Sequence, residues 1–301
     1  MIVAVDSGGT KTKILASDCD GNVFFEKVVK GFGLAYDNEN ERIDELAECI
    51  KEIPSFDKIE KIVVNLGGKN SNQLKNTLKE VCPYADIEVF RESSGVIGDI
   101  IRKKENADVI IFAGTGAIAL GYGKNGYFIS DGWGRDIGDE GSGYYIGLEA
   151  VKACLKAIEE DEITPFVSEI THINEPLQCS EKTDGLVSMR DEIRKGILPL
   201  ERDKTAAYTR IAAEYARQGD SIALSVFEKA GKGLCDTAIR VLKKTGTIEK
   251  PVIAVCGGIT NTSELWKASF EKNFAEFTDE FTLVLPKTDF AHGALMYALS
   301  K

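Results

Sequence analysis

The strongest constraint on this sequence is a pattern that occurs twice: a strand, a glycine-rich turn, a second strand, a hairpin and a third strand. It begins at Ile2 with the turn Asp6–Thr12, and begins again at Val109 with the turn Gly114–Gly116. The dipeptide Asp20-Gly21 supplies the hairpin signal of the first copy. Helices and strands follow each copy, so the pattern predicts an α/β fold whose architecture, though not its sequence, is duplicated.

The chain length allows one domain for each copy. Of the 301 residues, 43% are hydrophobic, which is enough for two cores of ordinary size. We predict an N-terminal lobe at 1–108, joined by the last helix at 290–301, and a C-terminal lobe at 109–289. The clearest helices of the second lobe are predicted from their apolar spacing at 144–159, 203–218 and 221–244.

Composition excludes several classes of protein. The formal net charge is -11 and no cluster of basic residues occurs, which argues against a nucleic-acid partner. The sequence has neither an apolar run of membrane-spanning length nor a signal-peptide pattern, so we expect no membrane partner and a cytoplasmic location. The seven cysteines are scattered without a C-x-x-C pair, which argues against a disulfide framework, a zinc site or an iron–sulfur site.

The first turn combines an acidic residue with glycines and hydroxyls. Glycines let backbone N–H groups approach an anion, and the threonines add donors. Asp6, at the end of a buried strand, could hold Mg²⁺ directly or through water. The predicted phosphate-binding residues of this turn are Gly8, Gly9, Thr10, Lys11 and Thr12. An ordinary β-turn would show the same residues, and neither a Walker A nor a Rossmann fingerprint is present.

Two further glycine turns follow apolar strands. Gly114, Thr115 and Gly116 form a second candidate phosphate turn. Gly257 and Gly258 follow a β-branched strand and could present a flat surface to an adenine or a ribose. Each turn alone is also typical of ordinary strand connections.

The segment 131–143 is the densest candidate site. It contains five glycines and four acidic residues together with an arginine and a tryptophan. Carboxylates accept hydrogen bonds from sugar hydroxyls, so this composition favours a polyhydroxylated ligand over a purely structural loop. The predicted substrate-binding residues of this segment are Gly132, Trp133, Asp139 and Glu140.

The order of these turns resembles the superfamily of actin, sugar kinases and heat-shock chaperone ATPases. Within it, Asp131-Gly132-Trp133-Gly134 followed by Gly138-Asp139-Glu140-Gly141-Ser142 is similar to the signature of the N-acetylglucosamine kinases. Their family also includes ATPase subunits of benzoyl-CoA reductase and activators of hydroxyacyl-CoA dehydratases. The resemblance spans essentially the whole chain.

The resemblance implies two actin-like (ribonuclease H-like) lobes with ATP in the cleft between them. It also implies a small-molecule sugar substrate near Gly68, Glu92 and the Trp133–Glu140 loop. A sugar hydroxyl, by family expectation the 6-hydroxyl, would attack the γ-phosphate in line while Mg²⁺ offsets the charge. A homodimer is the expectation for this class.

Two positions depart from the family pattern. Glu92 stands where the kinases have their catalytic aspartate, and it is the predicted base. Asp37 is nearest to a sugar-contacting asparagine of the kinases, with Asn38 next. These departures leave N-acetylglucosamine, glucosamine and N-acetylmuramic acid open as substrates. A sugar sensor without turnover and an ATPase that activates a partner dehydratase or reductase are the alternative functions.

Overall fold

The computed structural model describes residues 1–8, 11–31, 39–66, 71–90, 94–175 and 183–301. This part of the chain divides into two compact units, one formed by 1–107 with 286–301 and the other by 108–285. None of its helices is both long enough and apolar enough to cross a bilayer.

Ten strands and ten α-helices form in the described part of the chain. The elements up to residue 131 are β1 (Ile2–Ser7), β2 (Lys11–Ser17), β3 (Val23–Lys30), α1 (Glu39–Lys51), β4 (Lys61–Leu66), α2 (Ser71–Val81), β5 (Asp86–Phe90), α3 (Ser94–Lys104), β6 (Val109–Ala113), β7 (Ala117–Gly123) and β8 (Gly126–Asp131). The later elements are α4 (Gly143–Glu159), α5 (Pro165–Thr171), α6 (Thr183–Ile197), α7 (Arg202–Arg217), α8 (Ser221–Thr245), β9 (Val252–Cys256), α9 (Ser263–Ala275), β10 (Thr282–Val284) and α10 (Phe290–Leu299).

The first unit is built on a sheet in the order β3-β2-β1-β4-β5. Strand β1 is central and pairs antiparallel with β2 and parallel with β4, which explains its near-continuous apolar sequence. Val3 and Val5 pack into a core with Leu46 of α1 and Leu78 of α2. Alternate side chains point to the other face, where β1 contacts α10.

The second unit repeats this topology in the order β8-β7-β6-β9-β10. Its central strand β6 pairs antiparallel with β7 and parallel with β9, as β1 does with β2 and β4. The predicted duplication of architecture is therefore confirmed. Helix α8 packs against β6, β7 and β8. The core of the second unit includes the fully buried Trp266, Phe270 and Phe274 of α9.

The structure contains helices that sequence patterns did not predict. Helices α5 and α6 lie between residues 160 and 202, a stretch for which the sequence analysis predicts no element. The start of α5 does carry a local signal, because Thr164 is its N-cap and Pro165 occupies the first turn. The predicted helices at 144–159, 203–218 and 221–244 agree with α4, α7 and α8 to within one residue at each end.

Candidate active site

The first glycine turn is closed by its own backbone. The N–H of Gly8 donates to the carbonyl of Lys11 at 2.9 Å. Lys11 and Thr12, which the sequence assigned to the turn, already belong to β2. Thr12 is fully buried, and its Oγ1 donates to the hydroxyl of Ser7 at 3.3 Å. The Thr12 hydroxyl therefore supports the turn from within and does not face outward.

Asp6 lies near the end of β1, where burial disfavours its negative charge. Burial raises the pKa of Asp6 to about 6, against the opposing effect of the hydrogen bond that Oδ1 accepts from Asn65 Nδ2 at 2.7 Å. The nearby charge of Asp289 raises the pKa further. A cation beside this carboxylate would favour its ionised form.

A second carboxylate of the first unit, Asp289, is fully engaged. It caps α10 by accepting from the N–H of His292 at 3.0 Å, and it contacts Nδ1 of the same residue at 2.7 Å. Lys13 Nζ lies 3.1 Å from its Oδ2. Burial opposes ionisation of Asp289, but the hydrogen bonds from His292 and the charge of Lys13 outweigh it and hold the pKa well below its usual range.

The second glycine turn rests on the beginning of α4. Gly114 N–H donates to the carbonyl of Gly116 at 2.8 Å, which closes the turn. The N–H of Gly143 donates to the carbonyl of Gly114 at 2.7 Å, and that of Tyr144 to the carbonyl of Thr115 at 3.1 Å. The first free N–H groups of the helix thus satisfy the carbonyls of the turn and fix its position.

The helix that carries this turn begins where the sequence suggested. Ser142 is the N-cap of α4, and its hydroxyl accepts from the N–H of Tyr145 at 3.1 Å. From the other side, Thr209 of α7 donates to the carbonyl of Gly143 at 2.6 Å. The helix start is therefore braced by both its own cap and α7.

The third glycine turn lies at the same edge of the second sheet. Because β6 and β9 are parallel neighbours, the turns that follow them emerge side by side. Gly257 has a φ of +100°, and a Cβ there would stand 2.5 Å from the carbonyl oxygen of Ala113. Only glycine permits this approach. Gly258, in contrast, faces open space.

The acidic loop 131–140 is held by one of its own carboxylates. Asp131 Oδ1 accepts from the N–H of Gly132 at 2.9 Å and from that of Asp139 at 2.7 Å. Its Oδ2 accepts from the N–H of Glu140 at 2.8 Å. Asp131 therefore organises the loop by accepting three hydrogen bonds from its backbone.

Asp139 and Glu140 point in different directions from this loop. Asp139 is 4% exposed, and its Oδ2 is 2.7 Å from the position that a Cβ on Gly116 would take. Burial raises the pKa of Asp139, while N–H of Ala117 and the charge of Arg202 lower it in part. A buried carboxylate thus lies directly beside the second glycine turn.

Glu140 faces a groove of about 510 Å³ instead, together with Trp133. Its carboxylate lies 3.3 Å from the guanidinium of Arg240, which also donates to the hydroxyl of Ser130 at 3.1 Å. Trp133 is 76% exposed. The groove therefore combines an exposed aromatic ring with a charged pair.

A family model matches residues 3–298 of the chain, which is nearly its whole length. The chain belongs to the BadF/BadG/BcrA/BcrD ATPase family. The family resemblance inferred from the glycine turns is thereby confirmed.

Two similar proteins come from distant organisms. An N-acetylmuramic acid/N-acetylglucosamine kinase of Clostridium acetobutylicum is 27% identical, with 100% of this chain and 98% of the relative covered. An N-acetyl-D-glucosamine kinase of Dictyostelium discoideum is also 27% identical, over the same shares of the two chains.

Solved structures show the same fold. A ROK family glucokinase from Streptomyces griseus, in complex with glucose and AMPPNP, matches with a TM-score of 0.64 at 15% identity, covering 100% of this chain and 99% of the other. The predicted α/β fold with two actin-like lobes is confirmed by this match and by the two sheets of equal topology.

Several residues predicted for this member of the family lie outside the described part of the chain. They are Gly9, Thr10, Asp37, Gly68 and Glu92. Their proposed roles rest on the sequence alone.

Sequence reasoning missed Arg202, which approaches the second glycine turn. A Cβ on Gly116 would stand 3.0 Å from its Nη2. Arg202 is the first residue of α7, where the partial positive charge of a helix N-terminus disfavours a cation. An arginine at the start of a predicted helix is the sequence signal that could have identified Arg202 as a candidate.

Proposed function

We propose that this ATPase-family member is an ATP-dependent kinase of an amino sugar. The observation that carries the proposal is the position of Asp139 beside Gly116. A carboxylate that can accept a hydrogen bond from a sugar hydroxyl thus adjoins a turn of the kind that binds phosphate. Two relatives of matching length that are named as kinases of such sugars support the same conclusion.

The remaining predicted roles are part of this proposal. The residues proposed to contact the phosphates of ATP are Gly8, Gly9, Thr10, Lys11, Thr12, Gly114, Thr115 and Gly116. Those proposed to contact the adenosine are Gly257 and Gly258, and those proposed to contact the sugar are Asp37, Gly68, Glu92, Gly132, Trp133, Asp139 and Glu140. Thr12 would act through its backbone, because its hydroxyl is turned inward.

Asp6 fits a role as a magnesium ligand. Mg²⁺ is usually held by one or two carboxylates plus substrate phosphates, and Asp6 supplies one carboxylate whose pKa is raised by burial. When bound, Mg²⁺ would offset the negative charge of the phosphates. Asn65 holds Oδ1 of Asp6 and so orients the carboxylate.

The proposed reaction transfers the γ-phosphoryl group of ATP to a sugar oxygen, which we infer to be that of the 6-hydroxyl. Glu92 would accept the hydroxyl proton as the new oxygen–phosphorus bond forms, and ADP would leave with the electrons of the broken bond. Glutamate reaches one methylene further than aspartate, so the sugar would sit differently from its position in kinases that use aspartate.

The identity of the amino sugar is the finer part of the proposal. N-acetylglucosamine is favoured, because both relatives are named for it. N-acetylmuramic acid is the second candidate, since one relative is named for it as well. We further propose that the enzyme is cytoplasmic and that it forms a homodimer. Gel filtration with light scattering would test the oligomeric state.

The deciding experiment is a coupled assay of ADP release with Mg-ATP and a panel of sugars. The panel comprises glucose, glucosamine, N-acetylglucosamine, N-acetylmannosamine and N-acetylmuramic acid. We expect release that depends strictly on an added amino sugar, stops with a chelator and returns with Mg²⁺. Glu92→Gln should reduce turnover while sugar binding persists, and Asp6→Ala should abolish turnover with little change in the melting temperature.

Other outcomes would favour other functions. Sugar and nucleotide binding without turnover would identify a sensor that has retained the fold. Release of ADP without any sugar, or only with a partner protein, would favour an activator of a dehydratase or reductase.

A further inference from the structure

The guanidinium of Arg202 lies beside the second glycine turn, and its buried Nε has no hydrogen-bond partner in the described part of the chain. Its Nε is inaccessible to solvent and makes no hydrogen bond within the described residues. Its Nη2 lies close to Gly116, as does Oδ2 of Asp139. Burial raises the pKa of Asp139, and the positive charge of Arg202 lowers it in part.

The position of Arg202 is fixed by tight packing of α7 against α4. The carbonyl of Thr205 approaches Gly147 so closely that a Cβ there would be 1.8 Å from it. Thr209, one turn further along α7, donates to the carbonyl of Gly143 at 2.6 Å. Because Gly143 in turn supports the carbonyl of Gly114, Arg202 and the glycine turn are held on one rigid framework.

Burial and the helix dipole both make this position unfavourable for a cation. A buried guanidinium nitrogen without an acceptor loses its hydration, and a cation in the first turn of a helix meets the positive end of the helix dipole. The hydroxyl of Thr205 is also buried without a hydrogen-bond partner in the described structure. An anion bound at the turn would lie close to Nη2 of Arg202, and arginine binds phosphate through parallel hydrogen bonds.

We propose that Arg202 binds the phosphate chain of the nucleotide at the Gly114–Gly116 turn. This inference rests on the proposed function, which supplies the nucleotide. Arg202 would provide a positive charge beside the turn, where the phosphates are proposed to bind. Arg202 therefore distinguishes a nucleoside triphosphate from the same nucleoside without phosphates.

The test compares ATP with adenosine as calorimetric ligands of three variants. Arg202→Gln removes the charge, Arg202→Lys keeps a charge without the planar fork, and Arg210→Gln is the matched control. Arg210 is an exposed arginine of the same helix. Arg202→Gln should weaken ATP binding by about 10-fold or more, as expected for the loss of a charge-assisted hydrogen bond, and leave adenosine binding unchanged. Arg202→Lys should fall between Arg202→Gln and the wild type.

The outcomes separate this inference from the function on which it rests. If the wild type turns over ATP with sugar but Arg202→Gln binds ATP as tightly as Arg210→Gln, the role of Arg202 is wrong and the kinase proposal stands. Equal weakening of ATP and adenosine would mean that Arg202 supports the fold, which also overturns the inference. A wild-type protein that binds no ATP would overturn both.

Discussion

Replacing Asp131 with asparagine tests whether a single carboxylate holds the acidic loop. The two part-buried bonds, to the N–H groups of Asp139 and Glu140, use different oxygens of Asp131. Asparagine has one carbonyl oxygen, so one of these N–H groups would face the NH₂ donor instead. The lost charge-assisted hydrogen bond corresponds to about 1.5–3 kcal/mol of loop-opening free energy. The third bond, to Gly132, is exposed and contributes less.

This cost predicts a specific change in hydrogen exchange. The amides of Asp139 and Glu140 should exchange about 10- to 150-fold faster in Asp131→Asn, because each 1.4 kcal/mol corresponds to tenfold. Mass spectrometry of a peptide spanning 132–141 would measure the change. Asp136→Asn is the matched control, since Asp136 is an exposed carboxylate of the same loop with a side chain 79% accessible. Equal exchange in the two variants would refute the assignment of Asp131 as the organiser of the loop.

Two further substitutions examine the pH dependence and the backbone of the site. Asp289→Asn should lower the free energy of unfolding by about 1–2 kcal/mol at neutral pH, because the carboxylate loses its charge-assisted bonds to His292 and Lys13. A carboxylate with a lowered pKa stabilises the fold above the unfolded pKa near 4, so the difference in unfolding free energy from the wild type should shrink as the pH falls below about 4. Urea titrations from pH 3 to 7 would show this, and a constant difference would contradict it. Gly257→Ala should destabilise the protein by on the order of 3 kcal/mol, through its positive φ and its contact with the Ala113 carbonyl, while Gly258→Ala should be nearly neutral because it faces open space. Similar melting temperatures for the two alanine variants would argue against the close approach at Gly257.

The architecture of both units could be predicted because it is encoded locally. Strands β1 and β6 are mainly apolar runs. In each copy, the strand and the glycine turn that follows it lie within about ten residues. The duplicated sheet follows from finding the same local order twice. Helices α5 and α6 are not predicted, although Thr164 and Pro165 mark one helix start.

The chemistry of the site could be predicted only in part, because some of it depends on distant residues. The glycine and acid composition indicated the 131–143 loop, but not that Asp131 would be its internal support. That role depends on the left-handed backbone of Asp131 and Asp139, with φ values of +62° and +61°, which brings N–H groups eight and nine residues away to one carboxylate. Arg202 reaches Gly116 only through the packing of α7 on α4, which no short-range pattern reports.

The position of α10 in the chain bears on how the protein is synthesised. This helix packs against β1, β4 and α3 of the first unit, and Gly293 allows it to approach Ile97 and Ile101 closely. Residues 108–285 form the second unit without a break, so a ribosome delivers that unit complete before α10 exists. The first unit, although its strands are translated first, must keep the apolar face of β1 uncovered until residues 290–299 emerge. The unit whose strands are translated before those of the other is therefore the last to complete its core.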